Sequence, residues 1–307
     1  MPDESLELSI IIVSHNTRDY TVAAIQAVQD TVKTHHHEVI VVENASSDQS
    51  AEAIEKEFSH IRVIKTDTLV GFSTANNLGA KSAKGEYLLF LNPDTVVQPG
   101  AIDLLLEHAK SLPNCGAISG QLLNPNNTIQ PQGGALPNLL NVAAWMLFLD
   151  DLPFLSQLFL PYQQRNLEYF KKLQENCGWI GGTALIISRS LFEKLNGWDE
   201  QIFMYGEDVE LCLRVHNAGK TICLYPGAKI MHYQNKSTGS SRMAKLGEFD
   251  GLLYLWKKHK PGYQMGILKS LLWIGSWLRL VIFGILGRND AEKHTYFEAQ
   301  KRILMAG

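Results

Sequence analysis

The first third of the chain switches repeatedly between two hydrophobic periods. Leu8 to Val13 is a continuous apolar run rich in β-branched residues, which predicts a strand covered on both faces, as in a parallel sheet. From Tyr20 to Val32, residues Val22, Ile25, Val28, Gln29 and Val32 recur at roughly helical spacing, and Glu38 to Val42 is strand-like again, completing a β-α-β unit. The pattern then repeats: a helix is predicted from Ala51 to Phe58, a strand from Ile61 to Lys65, a helix from Ala75 to Ala83 and a strand from Tyr87 to Leu91. Such alternation predicts an α/β fold with a mostly parallel sheet, helices on both faces and a ligand crevice beyond the carboxyl ends of the strands. Those ends carry polar clusters: Ser14-His15-Asn16, Glu43-Asn44-Ala45-Ser46-Ser47-Asp48 and Asn92-Pro93-Asp94.

Further along, Asn124 to Gln132 is rich in Pro, Asn and Gln, and Trp145 to Tyr162 carries large apolar residues interrupted by Asp150, Asp151 and Pro153. Two readings of this stretch stand side by side, an insertion over the crevice and a buried helical hairpin. Regular structure is predicted again over Trp179 to Ser188, where Gly181-Gly182 precedes Ala184 to Ile187, and a helix from Arg189 to Leu195 follows. Met265 to Leu286 is dominated by Leu, Ile, Val, Phe and Trp but contains Lys269, Ser270, Ser276 and Arg279. A spanning helix needs about 20 apolar residues, so the length suffices, while two cations count against insertion. The expectation is a helix lying in a membrane surface, with Lys269, Arg279 and Arg288 near lipid phosphates and Trp273 and Trp277 at headgroup depth. The alternative is a helix packed on protein. The chain is accordingly divided into a catalytic domain, 1–240, and a helical C-terminal segment, 241–307.

Composition narrows the function. With 307 residues, 45% of them hydrophobic and 19% charged, the chain can bury a substantial core,. A formal net charge of -3 provides no basic footprint for nucleic acid,. Cys115, Cys177, Cys212 and Cys223 are scattered and form no Cys-x-x-Cys pair, which points to reduced thiols rather than zinc or disulfides. The short acidic segment before Leu8 lacks the regions of a signal peptide, and a cytoplasmic location is expected,. His35-His36-His37 reads as a solvated turn.

Several residues have the chemistry of a site. Asp94 directly follows an apolar strand, so its carboxylate would project into the crevice as a hard oxygen ligand for a cation, although Asn-Pro-Asp is also ordinary turn chemistry,. Glu43 ends the second strand, where an acceptor-only carboxylate matches the N3-H of a pyrimidine,; Ser47 or Asp48 nearby can cap the next helix. Gly206-Glu207-Asp208-Val209-Glu210 opens a helix whose dipole favours acidic residues there, while the aromatic loop Phe203-Met204-Tyr205 ahead of it offers the water exclusion that tunes a general base,. His232 follows the strand-like run Tyr225 to Met231 and has an imidazole for a cation or for an ordinary hydrogen bond. Dinucleotide, P-loop and nucleophile-elbow motifs do not occur,.

In order along the chain, Ser9-Ile10-Ile11-Ile12-Val13-Ser14-His15-Asn16, Val42-Glu43-Asn44-Ala45-Ser46-Ser47-Asp48, Asn76-Asn77-Leu78-Gly79, Leu91-Asn92-Pro93-Asp94, Gly181-Gly182, Gly197-Trp198-Asp199, Phe203 through Leu211 and His232 resemble family 2 of the inverting glycosyltransferases, and within it the rhamnosyltransferase-like branch. The resemblance spans roughly residues 6 to 240. It implies a GT-A fold, a Rossmann-like nucleotide-binding half joined to an acceptor-binding half. It also implies a nucleotide-sugar site drawn from Ser14, Asn16, Glu43, Asn44, Asn77, Asn92 and Asp94, with Glu43 standing where the family usually has Asp. The acceptor side would include Trp179, Gly181, Gly182 and Trp198. Asp208 matches the catalytic base, with Glu207 its rival, and Asp94 the acid that binds Mg²⁺ or Mn²⁺, with His232 a possible second ligand.

The expected reaction is transfer of a sugar, rhamnose from dTDP-rhamnose as the first choice, to a hydroxyl of a cell-surface glycan or lipid-linked acceptor, at the inner face of the cell membrane. A UDP-sugar donor is the alternative within the same class. A non-catalytic nucleotide-sugar-binding subunit of a glycan assembly complex is the alternative outside it.

Overall fold

The computed structural model describes residues 6–152, 160–234, 241–285 and 290–306. The chain divides into two compact units: one comprises 1–132, 165–203 and 207–237, the other 133–164, 204–206 and 238–307.

The first unit opens as the hydrophobic pattern predicts. β1 (Leu8–Ser14), α1 (Arg18–Thr31), β2 (His37–Asn44), α2 (Ser50–Glu57), β3 (Arg62–Thr66), α3 (Phe72–Ser82) and β4 (Tyr87–Leu91) alternate in order. β1 pairs in parallel with β2 and β4, and β2 with β3. Ile10, Ile11, Ile12, Ile40, Val41, Val42 and Leu88 to Phe90 are fully buried or nearly so, as two-sided burial of a parallel sheet requires. α3 starts earlier than its apolar spacing indicates, because Phe72, Ser73 and Thr74 are weak helix formers that hide its first turn,. Gly79 brings this helix close to the sheet: a Cβ there would lie 2.5 Å from the Ile11 side chain.

Beyond β4 the topology becomes mixed. β5 (Thr95–Val97), α4 (Ala101–Ser111) and β6 (Cys115–Leu123) come first; after a segment of the second unit that holds α5 (Leu139–Met146) come α6 (Leu167–Phe170), β7 (Gln174–Cys177), β8 (Ala184–Ser188), α7 (Arg189–Lys194), α8 (Glu207–Asn217) and β9 (Thr221–His232). Among the described residues nine strands form one sheet, ordered β3-β2-β1-β4-β8-β6-β9-β5, with β7 pairing to β9. β8 runs antiparallel to both β4 and β6, and β5 antiparallel to β9. The triple histidine is only partly a solvated turn: His37 begins β2, and His35 is tucked against Glu7 with its Nδ1 2.8 Å from Oε2.

The second unit contains α5 (Leu139–Met146), α9 (Ser241–His259), α10 (Tyr263–Ile285) and α11 (Asp290–Met305). α5 has a capping box, with the Asn138 side chain accepting from Leu140 and Asn141 backbone N-H groups,. The described part of the apolar stretch from Trp145 holds the end of this helix, with Trp145 and Met146 buried. α10 presents two faces. Leu268, Leu272, Gly275, Ser276, Arg279 and Phe283 turn inward, whereas Ile267, Trp273, Ile274, Trp277, Val281 and Ile285 are exposed. The expectation that Arg279 meets lipid phosphate is therefore corrected. The residue is 5% exposed, and its guanidinium donates to the carbonyls of Met146 at 2.5 Å and Trp145 at 2.8 Å. It also lies over the rings of Phe148 at 4.4 Å and Trp145 at 5.4 Å, since a buried cation needs fixed acceptors in place of water. Lys269 donates to the Ala306 carbonyl, and Arg288 lies outside the described residues.

Candidate functional site

At one end of the crevice Asp94 and His232 meet. β5 starts immediately after Asp94, and its pairing with β9 sets Thr95 opposite His232. A further backbone bond, Tyr233 N-H to the Asp94 carbonyl at 2.9 Å, ties the two segments together. Their side chains approach to 3.4 Å between Nε2 and Oδ1, with the Asp94 side chain fully buried. On its other side the imidazole Nδ1 lies 2.7 Å from Oε1 of Gln130, a buried residue inside the Pro-Asn-Gln-rich segment that sequence reasoning did not single out. One carboxylate and one imidazole suit a divalent cation that takes its remaining ligands from substrate phosphates and water. Among the described residues no group of three or more His, Cys, Asp and Glu side chains converges, here or elsewhere.

The Asn92-Pro93-Asp94 turn has a neighbour. Leu91 of β4 pairs with Ala184 of β8, and Asn92 N-H donates to the Thr183 carbonyl at 2.8 Å. The Gly181-Gly182-Thr183 turn therefore leaves the sheet beside the one carrying Asp94. Asp208, in the first turn of α8, reaches the same turn: its Oδ2 accepts from Gly182 N-H at 3.3 Å, and its Oδ1 from Val209 N-H at 2.8 Å. Burial is the largest influence on this carboxyl and raises it above the usual aspartate range, against the pull of those hydrogen bonds. That is the direction a general base requires.

The other acidic residues of α8 divide differently. Glu210 is fully buried and held by Arg214, whose Nε lies 2.8 Å from Oε2 and Nη2 2.6 Å. Arg214 in turn donates to the carbonyls of Leu195 and Gly197 at 2.6 and 2.8 Å, so this pair fixes the loop after α7. Glu207 is buried as well.

The same loop carries Trp198, which is 1% exposed and packs edge-on against Phe90 and Phe72, with ring centroids 5.1 and 5.8 Å away. Asn77 holds it: Oδ1 accepts from Trp198 N-H at 2.9 Å, while Nδ2 donates to the Trp198 carbonyl and to Glu200, each at 2.9 Å. Gly197 is required there, with φ +72 and a hypothetical Cβ 2.6 Å from Asn77 Oδ1,. The structure thus brings Asn77 and Trp198 together as a support beneath Gly182, whose added Cβ would lie 3.4 Å from the Trp198 ring. Trp179 is buried beside the same turn in sequence.

The ends of β1 and β2 form the opposite end. Ser14 pairs with Glu43 in strand register, but its hydroxyl points into the fold, 2.9 Å from Thr21 Oγ1. Asn16, at φ +52, accepts from Ser47 N-H at 2.8 Å. Asn44 spans to the strand-loop beyond β3, donating to the Val70 carbonyl and accepting from Val70 N-H, both at 2.9 Å. Glu43 Oε1 accepts from Ser46 N-H at 2.9 Å and from the Ser50 hydroxyl at 3.3 Å. Glu43, Ser46, Ser47, Lys65, Thr66 and Asp67 are among the residues lining a pocket of about 430 Å³, within the size range of small-ligand sites.

Residues 9–195 match Glycosyl transferase family 2, more than half of the chain. The chain belongs to that family. Residues 164–236 of this family 2 glycosyltransferase also match a domain described as the N-terminal domain of galactosyltransferase. Among its relatives, N-acetylglucosaminyl-diphospho-decaprenol L-rhamnosyltransferase of Mycobacterium tuberculosis is 28% identical over 229 residues, covering 71% of this chain and 73% of the relative. Rhamnosyltransferase WbbL of Escherichia coli is 25% identical over 239 residues, 75% of this chain and 85% of the relative. A crystal structure of GalNAc-T7 with UDP, GalNAc and Mn²⁺ superposes with a TM-score of 0.60 at 16% identity, covering 87% of this chain and 51% of that one. This glycosyltransferase thus spans about half the length of that protein, and its fold is GT-A-like with additional C-terminal helices, as the motifs imply.

Proposed function

We propose that the chain is an inverting rhamnosyltransferase that takes its sugar from a nucleoside diphosphate, dTDP-rhamnose in the first instance. Its acceptor would be a hydroxyl of a lipid-linked or cell-surface glycan. Support for the sugar comes from the rhamnosyltransferase relatives, and support for the lipid-linked acceptor from the polyprenyl substrate in the name of the first of them. The observation that carries the chemistry is Asp208, a carboxyl of raised proton affinity hydrogen-bonded to the glycine turn that flanks Asp94. Asp208 takes the proton of the acceptor hydroxyl as that oxygen bonds to the anomeric carbon. The bond from that carbon to the diphosphate oxygen breaks on the opposite face, so configuration inverts in one displacement. Asp94 and His232 are the residues that would hold Mg²⁺ or Mn²⁺, and such an ion, when bound, offsets charge gathering on the leaving diphosphate. Glu43 and the pocket beside it would receive the pyrimidine. A UDP-sugar is the second reading, favoured by the UDP in the GalNAc-T7 structure and by a carboxylate's equal fit to uracil and thymine.

The exposed stripe Ile267, Ile274, Trp277, Val281 and Ile285 along α10 supports a peripheral position on the cytoplasmic membrane surface, where apolar side chains enter the interface. α10 is also long and apolar enough to cross a membrane, with a mean hydropathy of 1.5. The buried Arg279 on its other face favours lying flat.

Two measurements test the enzymatic reading. Thermal-shift titration with dTDP and with UDP, each with Mn²⁺, should show stabilisation by at least one nucleotide. Acceptor-dependent release of nucleoside diphosphate should fall by about 10²- to 10⁴-fold in Asp208→Asn with nucleotide binding retained. Unchanged turnover would pass the base to Glu207, and absence of any release would leave a binding subunit.

A further inference from the structure

We infer that Gln130 is a positioning residue that fixes His232 in its Nδ1-H tautomer, leaving a bare Nε2 to face Asp94 as a cation ligand. The inference rests on the donor-site reading above and adds to it a residue with no resemblance or motif behind it.

The proton can be followed from the surface inward. Thr128 N-H donates to Asn126 Oδ1 at 3.2 Å, which identifies that atom as the oxygen. The Thr128 hydroxyl donates to the same oxygen at 2.6 Å, so its lone pairs are left to accept from Asn124 Nδ2 at 2.9 Å. Asn124 therefore turns its Oδ1 to Gln130, whose Nε2 donates to it at 3.0 Å. The same Nε2 donates to the His232 backbone carbonyl at 3.4 Å, an acceptor that has no flipped alternative. Both partners of Nε2 being acceptors, the Gln130 amide has one orientation, and Oε1 lies 2.7 Å from His232 Nδ1. An amide oxygen carries no hydrogen, so Nδ1 is the donor. In a neutral ring Nε2 is then unprotonated, and it lies 3.4 Å from Asp94 Oδ1. Two electron-rich atoms so placed suit a positive charge shared between them.

The backbone holds Gln130 for this task. Ile129 bridges to Leu123, Gln130 N-H donates to the Leu122 carbonyl at 2.9 Å, and Asn127 turns the loop at φ +61. Partners that orient a metal-ligating histidine are commonly worth about 10- to 100-fold in metal affinity.

The test is histidine-selective ¹⁵N labelling with long-range ¹⁵N-¹H correlation at a pH of about 8, above the ordinary histidine range. His232→Ala assigns the signals by their disappearance. The wild-type ring should be protonated on Nδ1. Gln130→Leu should release that preference and weaken Mn²⁺ binding, titrated with dTDP or UDP present, by about 10- to 100-fold. Gln130→Glu keeps an acceptor and should retain the tautomer. If Gln130→Leu does not fold, Asn124→Ala makes the comparison, since it frees the amide to flip. A wild-type ring protonated on Nε2, or a folded Gln130→Leu that binds Mn²⁺ as tightly as wild type, overturns the inference. A wild type with the Nδ1-H ring that takes up no Mn²⁺ with either nucleotide instead overturns the donor-site reading and leaves the hold of Gln130 on the ring standing.

Discussion

Replacing Arg279 by Met removes a guanidinium from the interior of the second unit while keeping most of the side-chain length. Two charge-assisted hydrogen bonds to the carbonyls of Met146 and Trp145, at 2.5 and 2.8 Å, disappear; each such bond is worth about 1.5–3 kcal/mol. Contacts of the cation with the rings of Phe148 and Trp145 add about 1–2 kcal/mol together. Against this, Met carries no buried charge to desolvate, and that relief offsets a large part of the loss. What remains is chiefly the cost of a helix end at which the Met146 carbonyl loses its guanidinium donor, the Trp145 carbonyl keeping backbone N-H partners, a net destabilisation of about 1–3 kcal/mol. Urea unfolding followed by tryptophan fluorescence reads it directly, because Trp145 lies under the lost cation. A loss below about 1 kcal/mol, accompanied by weaker flotation with anionic vesicles, would refute the reasoning and return Arg279 to the lipid surface.

Asp208→Asn should be more stable than wild type at neutral pH, by about 0.5–2 kcal/mol as for other stabilising single changes. The raised folded-state proton affinity of Asp208 means that its contribution to stability is fully present below the ordinary aspartate value and lost as pH rises through the folded one. Thermal melts should therefore converge at acidic pH and separate towards neutrality; a constant difference across pH excludes the charge as cause. Asn77→Ala, which removes three hydrogen bonds from the Trp198 loop, should cost about 2–3 kcal/mol in urea with nucleotide affinity unchanged. Weaker nucleotide binding at full stability would place Asn77 at the donor instead. Trp277→Glu, on the exposed face of α10, should abolish vesicle flotation without lowering the melting temperature, and persistent flotation would remove the interfacial role.

The early β-α-β alternation was legible because burial on both faces leaves unbroken apolar runs such as Leu8 to Val13. Thr95 to Leu123 was not assigned, although it holds β5, α4 and β6. β5 is three residues long and exists by pairing with β9, a non-local cause that no local window contains. Asp94 and His232 are joined in the sequence by the family resemblance alone, because their contact depends on that same ladder. The bonds of Asn44 to Val70 and of Asn77 to Trp198 are hidden for a similar reason, since a partner distant along the chain leaves no mark in a local window. Arg279 misled because a cation in an apolar helix has two outlets, headgroup or buried carbonyl, and only the fold chooses between them.

The β5-β9 ladder also bears on how this fold can diversify. Asp94 and His232 stand on paired backbone, where inserting or deleting one residue would turn a side chain to the other face of the sheet,. The segments around Gly181 and Trp198 are turns and loops instead, and these tolerate changes of length. Mutational drift should therefore leave the Asp94–His232 ladder fixed as an inherited constant while the turns are rebuilt, so, under the donor-site reading proposed above, lineages descended from such a chain would differ in what they glycosylate long before they differ in how they hold the donor.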